Sequence, residues 1–144
     1  GTGKTRLARC LPDLLPPLSD QEAAELAEIY GPIDGLDIPT WRPFRAPHTS
    51  ISRAGLIGGG RGPRPGEVSL AHHGVLFLDE LPEYNRAVLE ALREPMETGA
   101  VTIARAGAHA EFPADFQFAC RLAEEDNGYQ VGREQDIPPL FVEF

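Results

Sequence analysis

Four apolar residues followed by two acids, VLFLDE at residues 75–80, constrain this chain more than any other stretch. An apolar run that short and unbroken fits a strand buried on both faces, as in parallel sheets covered by helices. Such a strand delivers Asp79 and Glu80 to its C-terminal end, where open α/β sheets take their ligands. About seventy residues upstream the chain opens on GTGKT. There Gly3, Lys4 and Thr5 supply the second half of a G-x-x-x-x-G-K-[ST] phosphate loop. The first glycine of that pattern would precede Gly1 and no initiator Met is present, so a fragment cut within the loop is expected.

The flanking segments support a layered α/β arrangement. Leu7, Leu11 and Leu14 recur at helical spacing and predict a helix from Thr5 to Leu15, kinked or shortened by Pro12. Ser19 and Glu22 have the spacing of a capping box, Gly31 is a stop, and Ala23, Leu26, Ala27 and Tyr30 fall on one face. PIDGLDIPTWRP is a loop leading to an extended piece around Phe44, and the Gly- and Pro-rich segment 54–74 is expected to be mostly irregular. Asn85 to Met96 is amphipathic, with Val88, Leu89, Leu92 and Met96 on one side. AVTIARAGAHAEFP alternates and breaks at Ala106-Gly107, which predicts a β-hairpin, and DFQFAC predicts a further strand. Helix, strand, helix, hairpin and strand in that order point to an α/β fold.

Composition narrows the class. A chain of 144 residues is long enough for one domain with a real core and too short for two. A net charge of -9 argues against a protein that coats nucleic acid generally. The charge is uneven, however. No acid stands between Asp37 and Glu67, while Arg42, Arg45, Arg53, Arg61 and Arg64 do. Cys10 and Cys120 are too few and too distant for a metal site or disulfide framework, and buried free thiols are expected. No apolar run reaches membrane-spanning length and no signal peptide is visible, which makes the cytoplasm the default location.

The two motifs imply one chemistry. Gly1, Thr2 and Gly3 would let backbone N–H groups curl round the phosphates of a nucleoside triphosphate, with the positive end of the following helix behind them. Lys4 would reach the β- and γ-phosphates, and the Thr5 hydroxyl and Asp79 would hold Mg²⁺. Glu80 would orient and polarise the attacking water. Either half alone would be a modest signal; together they are specific.

The segments RPFRAPH, PRPGEVSLAHHGVLFLDELPE and ALREPMETG resemble the magnesium-chelatase-like AAA+ ATPases of the competence protein M (ComM, YifB) type, over Gly1 to about Phe118. The resemblance implies a three-layer α/β P-loop NTPase module with a β-hairpin before the sensor strand, truncated at the phosphate loop and after the sensor-strand region. It implies ATP and Mg²⁺ as cofactors, a homo-hexamer as the working form, and an ATP-driven DNA motor acting in branch migration during uptake and recombination. The magnesium-chelatase small subunit, a motor for metal insertion into porphyrin, shares the two motifs but lacks the RPFRAPH and LAHHG wording, and ranks second. A non-catalytic nucleotide-binding fragment is a third reading. Residues 1–120 are thus expected to be a partial ATP-binding domain, and 121–144 a divergent acidic tail. From Arg121 onward six acids face two arginines, and Asn127 lies in a context unlike a sensor strand, so no sensor role is carried over to it. The family's central strand would lie before Gly1, so an exposed interior sheet edge and weak ATP binding are expected of the fragment alone.

Other residues have plainer readings beside functional ones. Adjacent His72 and His73 invite a metal, yet no further ligand stands at a suitable spacing, and packing at the strand entrance is the preferred reading. His48 is a loop histidine or a DNA-side residue. Arg42, Arg45, Arg61 and Arg64 suit phosphate contacts, on DNA or on a neighbouring subunit's nucleotide, about as well as a solvated loop. Arg105, beside the hairpin turn and near His109, reads first as a plain surface arginine and second as a DNA contact by analogy with pore hairpins of related motors. Trp41 is read as a packing anchor.

Overall fold

In the computed structural model residues 2–105 and 107–122 are described, with the backbone alone at 2–5 and 105, together with two-residue strand pieces at 124–125, 128–129 and 142–143. Helix α1 (Thr2–Arg9) is followed by a 3-10 turn at Leu11–Leu14. The single helix expected from Thr5 to Leu15 therefore starts and stops earlier. Pro12 has no N–H to give Ala8 and its ring would meet the Ala8 carbonyl, so the chain tightens after Cys10. Helix α2 (Asp20–Tyr30) opens on a complete capping box, with the Glu22 N–H donating to Ser19 Oγ at 3.1 Å and the Ser19 N–H donating to Glu22 Oε1 at 3.0 Å. Its buried stripe is Leu26, Ile29 and Tyr30, so the inward face is rotated from the expected one and Ala23 is exposed.

Strand β1 (Phe44–Arg45) lies where an extended piece was expected. The stretch expected to be irregular is more ordered than its composition suggests. It holds α3 (Arg53–Ile57), the pair β2 (Gly58–Gly59) and β3 (Arg64–Pro65), and α4 (Glu67–Leu70). Ser52 caps α3 by accepting from the Gly55 N–H at 3.0 Å, and Gly58 leaves the helix at φ 109, a conformation open to glycine. Strand β4 (Val75–Leu78) is buried throughout and runs into a 3-10 turn at Leu81–Glu83. The amphipathic segment forms α5 (Arg86–Ala91) and α6 (Arg93–Thr98), divided because Pro95 cannot donate to the Ala91 carbonyl. The hairpin β5 (Ala100–Arg105) with β6 (Ala108–Pro113) and strand β7 (Gln117–Cys120) follow as expected. Short pieces complete the order: β8 (Glu124–Glu125) antiparallel to β9 (Gly128–Tyr129), and β10 (Val142–Glu143).

The main sheet is parallel in the order β1-β4-β7-β10, with Phe44 opposite Val75 and Leu76 opposite Phe118. The side of β7 away from β4 carries β10. Alternation along β4 splits the core. Val75 and Phe77 meet Ala8 and Ala119 on one face, whereas Leu76 and Leu78 meet Leu56, Val68, Val88 and Val101 on the other. Helix α1 covers the first face and α3 to α5 with the hairpin cover the second. Each wholly buried leucine contributes about 1.5–3 kcal/mol by leaving water. A third cluster joins α2 to Leu70 of α4, and the Tyr30 hydroxyl donates to the Leu70 carbonyl at 2.5 Å.

Gly74 sets the entry to β4. A Cβ there would lie 2.0 Å from the Pro43 carbonyl oxygen, and that oxygen also accepts from the Val75 N–H at 2.8 Å. Gly74→Ala should therefore lower stability by about 1–3 kcal/mol, the usual range for overpacking. Thermal unfolding of the variant checks this; an unchanged midpoint would mean that β1 moves aside freely.

Candidate functional site

Asp79 and Glu80 stand where the ladder between β4 and β7 breaks its rhythm. The Arg121 N–H donates to the Leu78 carbonyl at 3.0 Å, as a regular parallel pair requires. The next donor to the Arg121 carbonyl should be the Glu80 N–H. It is instead the Leu81 N–H, also at 3.0 Å. One extra residue is thus accommodated, a bulge of a kind rare in parallel pairs and common beside active sites. The extra length is absorbed at Glu80, whose φ of 56 and ψ of 57 place a non-glycine residue in the left-handed region. Strain of this sort persists where the surroundings over-determine it. Here the bonds to Arg121 and the Glu83 N–H to Glu80 carbonyl bond at 2.9 Å hold it.

At the bulge the two carboxylates differ in exposure and in partners. Glu80 is half exposed at its side chain, 52%, with no hydrogen bond to its carboxylate among the described residues. Asp79, less exposed, receives a fork from Arg121, with Nε to Oδ1 at 2.5 Å and Nη2 to Oδ2 at 3.2 Å. Arg121 Nη2 also lies 4.0 Å from Glu80 Oε1. Below them Tyr84 donates to the Pro47 carbonyl at 2.5 Å, and burial, then the charges of Asp79 and Glu80, push its hydroxyl up to about 12. Two acids and one partly buried guanidinium therefore share the end of β4.

Helix α1 packs against the first face of β4. Ala8 packs on Val75 and Phe77, Arg9 lies 5.4 Å over the ring of Phe44, and the Trp41 indole donates to the Pro12 carbonyl at 3.1 Å. The C-terminal end of α1 is thus fixed near the start of β1 and β4. Gly3, Lys4 and Thr5 belong to the backbone of α1 rather than to a loop before it. Gly1 and the side chains of Thr2, Lys4, Thr5 and Arg105 lie outside the described residues, as does Asn127.

The basic segment is only partly what its sequence suggested. Arg42 and Arg45 are isolated from acids along the chain but not in space. Arg42, only 10% exposed, forks onto Glu22 at 3.0 and 3.2 Å and donates to the Pro16 and His73 carbonyls at 2.6 and 2.8 Å. Arg45 forks onto Glu67 at 2.6 and 2.8 Å. Their donors are committed to the fold, which removes the warrant for reading them as phosphate contacts. Arg61, on the turn between β2 and β3, and Arg64, at the start of β3, are exposed and make no ion pair among the described residues. His48 closes a local turn, its Nδ1 accepting from the Ser50 N–H at 3.0 Å. Trp41 is 40% exposed despite its anchor, and Cys10 is exposed whereas Cys120 is buried, so only one thiol matches the expectation.

His72 and His73 acquire a partner that spacing could not reveal. Helix α2 brings Glu25 to 2.8 Å from His73 Nε2 and 3.6 Å from His72 Nε2, and Glu22 to 3.3 Å from His73 Nδ1. Ligand atoms of Glu25, His72 and His73 lie within 4.8 Å of one another. The tautomer opposes a metal there, however. The Asp115 N–H donates to His72 Nδ1 at 3.0 Å, so the neutral ring carries its proton on Nε2 and offers no lone pair to the cluster. The group instead clamps α2 to the entrance of β4. Burial pushes His72 down, and the hydrogen bond from His73 holds Glu25 below the usual carboxylate range. The Ser19 N–H first, and Arg42 second, hold Glu22 at about 2.

Each of these shifts acts in the same direction on acidification. A depressed carboxyl stabilises the fold above its unfolded value, 4.5 for Glu22, and that contribution is lost as pH falls towards about 2. A depressed histidine likewise costs stability once the unfolded chain protonates, below 6.5 for His72. Melting temperature should fall in two stages across those windows. In Glu22→Gln the lower stage should flatten; a slope below pH 4.5 equal to that of the parent would discount the Ser19–Glu22–Arg42 contacts.

Comparison with known proteins gives this geometry a context. The family model described as "Magnesium chelatase, subunit ChlI" matches residues 1–137. Competence protein ComM of Haemophilus influenzae is 49% identical over 142 residues, 96% of this chain and 28% of that protein. The YifB protein of Escherichia coli is 46% identical over the same length and shares. The magnesium-chelatase 67 kDa subunit of Chlorobaculum tepidum is 28% identical over 138 residues, 92% of this chain and 19% of that protein. The chain therefore spans a little over a quarter of the length of its ComM and YifB relatives. Among the described residues no helix is long and apolar enough to cross a membrane. The chain belongs to the magnesium-chelatase-like family, with its ComM and YifB proteins as the nearer kin.

Proposed function

We propose that this chain is the nucleotide-binding part of an AAA+ ATPase that works as an ATP-driven DNA motor in its intact form. The observation that carries the reading is the bulge after Leu78. It offers one carboxylate to a cation and leaves the other exposed and strained at the C-terminal end of a parallel strand. The donor set fits Mg²⁺, a hard cation that takes carboxylate oxygens beside substrate phosphates. Bound Mg²⁺ would neutralise charge on the β- and γ-phosphates of ATP.

The chain's own residues then divide the work. Gly1, Thr2 and Gly3 would present backbone N–H groups to phosphate, Lys4 would supply a cation to it, and Thr5 and Asp79 would hold Mg²⁺. Glu80, with no guanidinium forked onto it, accepts a hydrogen bond from the attacking water and draws off its proton. The DNA role rests on kinship with a competence protein and on the exposed arginines of the β2–β3 pair. Arg61 and Arg64, with Arg105 at the hairpin, are the proposed phosphate contacts of a homo-hexamer. The chelatase-type reading is supported by the family model's description and by a more distant kinship, 28% against 46–49% for the ComM and YifB proteins. Direct measurement of DNA-stimulated ATP hydrolysis separates it, and a non-catalytic module, from a DNA motor.

In the full-length protein Glu80→Gln should retain ATP binding and lose hydrolysis by about a hundredfold or more. Asp79→Asn should weaken Mg²⁺-dependent nucleotide binding. Wild-type turnover in Glu80→Gln would refute the division of roles. Replacing Arg61 and Arg64 by Ala should weaken DNA binding and flatten its salt dependence by about one unit per lost contact, with basal ATPase retained. If ATPase activity fell first, those arginines would serve a neighbouring subunit's nucleotide instead.

A further inference from the structure

The fork from Arg121 onto Asp79 has a consequence for the cation. A divalent ion and a guanidinium both seek carboxylate oxygens, and here one carboxylate faces both. Arg121 is placed rigidly, since its own N–H and carbonyl are bonded to Leu78 and Leu81 on either side of the bulge. Its side chain is only 13% exposed, against 36% for Asp79, and the two-point fork fixes the carboxylate by charge-assisted bonds. Glu80 Oε1, 4.0 Å from Nη2, is a second acceptor close to the same guanidinium.

We propose that Arg121 is a resident counter-cation for Asp79, a positioning residue that a divalent ion must displace, wholly or in part, before Asp79 can hold it. This rests on the reading of Asp79 as a Mg²⁺-holding residue. In the cation-free chain Arg121 neutralises Asp79 and fixes the orientation of its carboxylate. When the ion arrives, one or both oxygens are surrendered and the guanidinium turns towards Glu80. Arg121 thereby sets the cation concentration at which the site loads.

The test uses full-length protein with a non-hydrolysable ATP analogue and Mn²⁺ as the probe, followed by electron paramagnetic resonance. Arg121→Gln should bind Mn²⁺ more tightly by about tenfold, the scale of a lost charge-assisted pair. Arg121→Lys keeps a charge without the fork and should fall between. The gain should vanish in an Asp79→Asn background. Unchanged or weaker Mn²⁺ binding in Arg121→Gln, with Asp79→Asn still weakening it, would overturn this inference and leave the reading of Asp79 intact. If Asp79→Asn alone had no effect on Mn²⁺, that underlying reading would fail. Loss of folding in both Arg121 variants would make the residue structural and would equally overturn the proposal.

Discussion

The hydrogen bond from the Leu81 N–H to the Arg121 carbonyl is made one residue later than a regular parallel pairing allows. Much of the chemistry proposed for this chain depends on that displacement. Strand β4 is buried on both faces, so neither Leu76 nor Leu78 can shift register without losing its core contacts. The slack must therefore be taken up beyond Leu78, and it falls on the two acids. Glu80 accepts a left-handed backbone, and Asp79 is turned into the reach of Arg121. A strand ending in regular pairing would have placed the two side chains on opposite faces of the sheet.

Around this end the fold uses charge mainly as structural cement. Arg42, just before β1, and Arg45, within it, are each forked onto a carboxylate from a helix packed nearby. Pairs of this kind contribute modestly when intact, and their loss leaves a partly buried charge without a partner. The His72, His73, Glu22 and Glu25 group ties α2 to the start of β4 by the same means. The strand is thus held at both ends by polar contacts and along its length by apolar ones. Exposed basic charge is left on the β2–β3 turn, which is where a phosphate-binding surface on an acidic chain could be confined.

Much of the architecture was legible because it rests on local pattern. The apolar run of β4, the capping box of Ser19 and Glu22, and the alternation of the hairpin are each set by residues within a few positions of one another. Errors arose where distant residues decide. The glycine-rich segment is ordered because α3 and α4 pack under β4 and β5, which composition cannot show. The inward face of α2 turned on Ile29 meeting the Leu70 cluster instead of on Ala23. Arg42 looked free because Glu22, its partner, lies twenty residues away. Glu25 as the companion of His72 and His73 was invisible for the same reason. At the site itself, the identities of Asp79 and Glu80 were readable, whereas the bulge and the Arg121 fork depend on the pairing of β4 with β7.

The central claim is that the bulged end of β4 holds the cation of a bound nucleotide. A crystal structure of the full-length protein with a non-hydrolysable ATP analogue and Mn²⁺, using anomalous scattering to locate the metal, tests it most directly. The expected result is Mn²⁺ bonded to Asp79 directly or through one water, with the Glu80 carboxylate facing the γ-phosphate. Mn²⁺ and phosphates bound away from the end of β4, with Asp79 and Glu80 both remote from them, would contradict it.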